Sequence, residues 1–133
     1  MIGSNVDVIG GNFCVYLGNG TISQTGVIPS GTESLLFDAI SYPGSPSPPV
    51  SLGGVNLSST LISIATNAYG HGYGNFAVDI SGFAGQVETL NFSGYAYLDS
   101  IQFSPEAIPE PSAASLICLG GALLFYLRRK YLR

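Results

Sequence analysis

"ESLLFDAI" runs from Glu33 to Ile40 and alternates along its length. Leu35, Phe37 and Ala39 fall on one face, and Ser34, Leu36, Asp38 and Ile40 on the other. A period of two marks a strand, because successive side chains there point to opposite faces of a sheet. Similar short runs lie on both sides of it: "NFCVYLG" (12–18), "TLISIAT" (60–66), "GNFAVDI" (74–80), "ETLNF" (88–92) and "LDSIQF" (98–103). Turn residues separate them roughly every eight to twelve positions. "VSLGGVNL" (50–57) reads as a hairpin, since Gly53-Gly54 accepts the positive φ angles of a two-residue turn. No stretch before Pro109 has the pattern of an amphipathic helix. The expectation is an all-β, antiparallel two-sheet sandwich over residues 1–106.

"SYPGSPSPPV" (41–50) interrupts the pattern, with prolines at 43, 46, 48 and 49. Proline removes ladder donors and favours extended geometry, which suits a stiff surface loop better than a ligand for a proline-recognition module. Asn19, Asn56 and Asn91 head Asn-X-Ser/Thr triplets, which arise easily in Ser- and Asn-rich strands and carry little weight. "MIGSNVDVIGG" (1–11) has neither the basic nor the apolar region of a signal peptide. It reads like the middle of a strand, so the chain is expected to be a fragment or to start too late.

Charge divides the sequence sharply. The four Lys and Arg residues are Arg128, Arg129, Lys130 and Arg133, and all eight Asp and Glu residues precede them. Residues 1–127 therefore carry −8 and the last six +4, which sum to the net −4. Charged residues make up 9% of the chain, against roughly 25% for an average soluble domain. No Lys/Arg–carboxylate salt bridge can form within residues 1–127. Nucleic acid is excluded as a partner, since phosphate binding needs a basic footprint.

Cys14 and Cys118 offer no disulfide framework, because Cys118 lies within an apolar run. Cys14 is expected to be a small buried hydrophobe. No His/Cys cluster has metal-ligand spacing, so zinc is not expected.

The C-terminal segment, 107–133, has three parts. Pro109-Glu110-Pro111 stays extended, because proline fits neither helix interior nor central strand. Residues 113–127 form an uncharged apolar run that as a helix covers roughly 23 Å at 1.5 Å per residue, short for a hydrocarbon core roughly 30 Å thick. Snorkelling and local bilayer thinning make up the difference. Arg128, Arg129 and Lys130 then hold the end in the cytoplasm by the positive-inside rule. A buried core helix is the competing reading, but it does not need all of a protein's positive charge at one edge.

This order of motif, short apolar run and basic end resembles the PEP-CTERM sorting signal of bacteria. The resemblance implies recognition through Pro109, Glu110 and Pro111 and membrane retention through Arg128, Arg129 and Lys130. It also implies a partner, the membrane transpeptidase-like enzyme exosortase, which processes such proteins near the motif. The protein would then be exported, anchored transiently in the inner membrane with its C-terminus in the cytoplasm, and released to the cell surface or beyond.

"VDISGFAGQVETLNFSGYAYLDSIQFSP" (78–105) in turn resembles the last strands of jelly-roll modules related to carbohydrate-binding sandwiches. Asp79 is expected to cap a turn through its side-chain oxygen and Phe83 to plug one end of the sandwich.

Chemistry in the body has few candidates. In "NAYGHGYGNF" (67–76), Tyr69, His71 and Tyr73 among glycines would suit contact with a polysaccharide, although a Gly-rich strand or bulge suits the same residues better. Asp99 shares the parity of Ile101 and Phe103, which turns it inward in an uninterrupted strand. An inward carboxylate without a cation needs backbone donors or a metal, with Ca²⁺ the candidate ion. Backbone capping is the stronger expectation. The remaining carboxylates are scattered and group into no acid/base pair, and His71 has no nucleophile motif beside it. A non-catalytic body follows.

Overall fold

A computed structural model describes residues 2–3, 9, 13–41 and 47–108. The expected sorting motif Pro109-Glu110-Pro111, the apolar run 113–127 and the basic end 128–133 lie outside the described residues, as do residues 42–46 of the proline loop. Among the described residues no helix is long and apolar enough to cross a membrane.

The body is all-β. Its strands are β1 (Ile2–Gly3), β2 (Cys14–Tyr16), β3 (Gly20–Val27), β4 (Ser34–Ser41), β5 (Val50–Leu52), β6 (Val55–Leu57), β7 (Thr60–Thr66), β8 (Gly72–Asp79), β9 (Val87–Gly94) and β10 (Ala96–Ser104). They form two antiparallel sheets, one ordered β1-β2-β10-β4-β8-β7 and the other β3-β9-β5-β6.

The inner faces follow from the alternation in the sequence. Leu35, Phe37 and Ala39 of β4 are buried, and the register sets Leu35 opposite Val78 and Phe37 opposite Phe76 on β8. From the second sheet, Val50 and Leu52 of β5 and Phe92 of β9 join the same core, with Ile28, Ile80 and Leu98. Phe37 lies 5.4 Å from Phe76 within its own sheet and 5.0 Å, edge to face, from Phe92 across the gap. Such ring pairs stabilise beyond their buried area by about 0.5–1.5 kcal/mol.

The hairpin at β5–β6 has the expected turn: Gly53 and Gly54 take φ of 58° and 79°. A side chain at Gly53 would also collide with Glu88, since a Cβ there would stand 2.6 Å from its Oε2. Asp79 caps the next corner, accepting from the backbone N–H of Ser81 at 3.0 Å and from its hydroxyl at 2.8 Å. These two bonds, the backbone one first, hold its carboxyl below the ordinary range. Phe83 is partly buried against the core, and Cys14 is buried.

Two elements depart from expectation. β3 has no counterpart in the sequence pattern, because all eight of its residues are exposed and neither face is consistently apolar. It is an edge strand held by a full antiparallel register with β9 and by hydroxyl and amide ties: Ser23 to Asn91, and Thr25 to Thr89 at 2.7 Å. In β10 the register shifts between Asp99 and Gln102, and Ser100 takes a positive φ of 53°. The bulge reverses the parity. Leu98 is buried, Phe103 pairs with inward Leu35, and Asp99 pairs with Asp38 on the opposite, outer face. The inward placement of Asp99 is thereby corrected, since it required an uninterrupted strand.

Phe37→Ala is expected to lower the free energy of unfolding by about 3–5 kcal/mol, the cost of emptying a large aromatic site in a core. Val55→Ala, at a side chain 51% exposed, should change it by no more than about 0.5 kcal/mol. Denaturant titration of both variants checks the placement of the core.

Candidate functional site

The outer face of the six-stranded sheet gathers most of the body's chemistry. Across its middle the register sets Asp99 of β10 opposite Asp38 of β4, Asp38 opposite Asn75 of β8, and Asn75 opposite Ser63 of β7. The row is linked from one side. Ser63 donates to Asn75 Oδ1 at 2.6 Å, and Asn75 Nδ2 donates to Asp38 Oδ1 at 2.5 Å. Asp99 Oδ1 accepts from the backbone N–H of Ser100 at 2.7 Å. The bulge that turns Asp99 outward thus also supplies the backbone donor that its carboxylate needs. Two carboxylates that face each other across strands repel, and no cation among residues 1–127 offsets them.

Beside this row stands an aromatic cluster. Tyr97 of β10 pairs with Tyr16 of β2, their rings stacked at 4.6 Å, and Tyr95 meets Tyr16 edge-on at 5.5 Å. Tyr95 is 46% exposed and the other two are half-buried. Hydrogen bonding with Tyr95, followed by desolvation and the neighbouring Tyr95 and Tyr97 rings, pushes the Tyr16 hydroxyl up to about 12. The phenol therefore stays neutral through the physiological range. The local signal was present in "YAYLD" (95–99), but only the non-local pairing of β2 with β10 assembles the cluster.

Tyr69, His71 and Tyr73 lie elsewhere, at the β7–β8 hairpin. Asn67 builds that turn: its Oδ1 accepts from the backbone N–H of Tyr69 at 3.0 Å and of His71 at 2.8 Å. Gly70 supplies a φ of 84°. Tyr69 is exposed in the loop and Tyr73 is half-buried in β8, and neither ring stacks on another aromatic among the described residues. The buried residue that organises the segment is Asn67, which the pattern of aromatics did not single out.

A cleft of about 180 Å³ opens between the sheets where β3 and β9 overhang the end of β10. Leu35, Leu90, Ile101 and Phe103 line it, with Gln24, Glu88 and Gln102 as polar members. Glu88 has no Lys or Arg in the body to neutralise it.

No protein-family model, curated protein or solved structure matches the chain. Among the described residues no three His, Cys, Asp or Glu side chains group at metal-binding distance.

Asp99→Asn is expected to raise stability by about 0.2–1 kcal/mol in the presence of a chelator, because it removes like-charge repulsion with Asp38 and keeps the oxygen that caps Ser100. If calcium were held there, adding it would stabilise the unsubstituted protein and not the variant. Melting both proteins with millimolar Ca²⁺ and with chelator separates the two cases.

Proposed function

We propose that the chain is an exported cell-envelope or extracellular-matrix protein. Its jelly-roll-like, non-catalytic sandwich is sorted, and processed by an exosortase, through a C-terminal PEP-CTERM signal. Residues 113–127 serve as a short transmembrane helix, with Arg128, Arg129 and Lys130 keeping the end in the cytoplasm.

The observation that carries this reading is the order of the tail against the end of the sandwich. Glu33 N–H donates to Ser104 O at 2.9 Å, Glu106 N–H donates to Ser104 Oγ at 3.1 Å, and Ser34 Oγ donates to Glu106 O at 2.7 Å. The chain is tied to the body as far as Glu106, and Pro109 follows three positions later. In sequence the motif leads straight into the apolar run, with almost no spacer between it and the last tied residue. A processing enzyme needs an extended segment at the bilayer surface, and two prolines favour one there. With no catalytic grouping in its sequence, the body is assigned a structural or adhesive role.

In a host with an exosortase, the exported protein is expected to lack everything from about the motif onward. Replacing Pro109, Glu110 and Pro111 with alanine should leave the full-length chain in the inner membrane, because the apolar run and basic end remain. Mass spectrometry of the exported and membrane fractions tests this. An intact peptide spanning Glu106 to Arg128 recovered from outside the cell would identify the tail as a permanent anchor.

A second reading, a secreted carbohydrate-binding module, is favoured by the tyrosine cluster beside Asp38, Asp99 and Asn75 on one sheet face. Aromatic faces stack on sugar rings while carboxylates and amides take their hydroxyls. On that reading Tyr97→Ala weakens polysaccharide binding about tenfold, a loss of about 1.4 kcal/mol, whereas Tyr69→Ala leaves it unchanged. Absence of binding across a broad glycan panel by the unsubstituted protein removes this reading and leaves the structural role.

A further inference from the structure

We propose that the cleft between the two sheets binds a small organic cation, a primary ammonium carried on an apolar ring or short stem. The site is separate from the tyrosine face, and the proposal does not depend on sorting.

The cleft exists because the sandwich is open along one side. β3 is the edge of its sheet, and β2 pairs with β10 only at Tyr97 and Leu98. Among the described residues no strand flanks Ser100 to Ser104 of β10 on the side away from β4. Buried Ile28, Leu35 and Leu52 line the opening, together with Leu90, Ile101 and Phe103, which are only partly covered.

Glu88 is the residue that selects the occupant. Asp38, Asp79 and Asp99 each accept from a donor nearby. Glu33 and Glu106 are exposed to water. Among the described carboxylates Glu88 alone is half-buried with no hydrogen bond to its side chain. It lies against Gly53, where a Cβ would stand 2.6 Å from its Oε2. The side-chain amides of Gln24 and Gln102, the other polar groups of the cleft, also have no partner among the described residues. Partial removal of a carboxylate from water is costly unless a cation or donor meets it, and residues 1–127 hold no lysine or arginine to do so.

Shape narrows the choice. Gly26 sits opposite Glu88 in the register, and a Cβ there would meet nothing within 4 Å. Its missing side chain keeps the cleft open beside the carboxylate. The volume is about 180 Å³, and a cavity of about 150 Å³ is enough for benzene. A hard metal ion would seek several oxygen ligands and leave the apolar walls unused. An ammonium on a ring or short stem uses both parts of the site: its head meets Glu88 and the amide oxygens, and its body covers Leu90, Ile101 and Phe103.

The test is calorimetric titration of the full chain in lipid nanodiscs with benzylammonium, with empty nanodiscs as the blank. The unsubstituted chain is expected to bind it saturably. Glu88→Gln should weaken binding at least about tenfold, because a charge-assisted hydrogen bond is roughly twice as strong as a neutral one. Benzyl alcohol, a neutral analogue of the same size, should bind at least about tenfold more weakly for the same reason. Gly26→Leu should abolish binding at an unchanged or higher melting temperature, because the new side chain fills the cleft. Asp79→Asn removes a charge outside the cleft and keeps the oxygen that caps Ser81, so affinity should not change. The proposal is overturned if the unsubstituted chain shows no saturable binding, or if benzyl alcohol matches benzylammonium. It is equally overturned if Glu88→Gln or a folded Gly26→Leu chain binds as tightly as the unsubstituted one, or if Asp79→Asn weakens binding as much as Glu88→Gln. Should Gly26→Leu fail to fold, the other comparisons still decide.

Discussion

Seven carboxylates of the body, Asp7 to Glu106, share it with no lysine or arginine, and the eighth is Glu110 between two prolines. That shortage of cations shapes nearly every polar contact. Asp79 is satisfied by Ser81, Asp99 by the backbone of Ser100, and Asp38 by the amide of Asn75. On the other sheet Asn91 is tied on both sides, to Ser23 and to Ser51. The neutral bonds of Asn91 contribute about 0.5–1.5 kcal/mol each. All of these contacts are short-ranged and directional, so they fix local register and leave overall cohesion to the apolar core.

That core rests on the meeting of Phe37 with Phe92 across the gap between the sheets. β4 is central in its sheet and β9 in the other, so the contact aligns the two layers. The same alignment places β10 beside β4, and the bond from Ser34 to Glu106 then fixes where the chain leaves the body. The outer face of the same sheet, freed from core duty, is where the tyrosines and facing aspartates accumulate.

Much of this was legible in the residues, and the failures have physical causes. "ESLLFDAI" announced its buried face because one side of the strand packs on the core and period two survives there. The Gly53-Gly54 hairpin was legible because backbone sterics alone demand those residues. β3 was invisible: an exposed edge strand needs no apolar face, and its pairing information lies in the partner, β9. Asp99 was placed on the wrong face because a bulge at a non-glycine residue, Ser100, leaves no mark in an alternation count. The tyrosine cluster needed the register between β2 and β10, which no local pattern contains. Tyr69, His71 and Tyr73 lie along the β7–β8 hairpin, whose turn is built by Asn67, a residue the aromatic pattern did not point to.

A body cohering without ion pairs has a characteristic response to salt. Between about 0.01 and 1 M ionic strength the Debye length falls from about 30 to 3 Å, which screens repulsion among the carboxylates and has no attraction between opposite charges to weaken. The most direct measurement is the midpoint of thermal unfolding of the body as sodium chloride is raised through that range at neutral pH. The account predicts a steady rise in the midpoint. A fall on first addition of salt would show that attractive ion pairs hold the fold, and would contradict it.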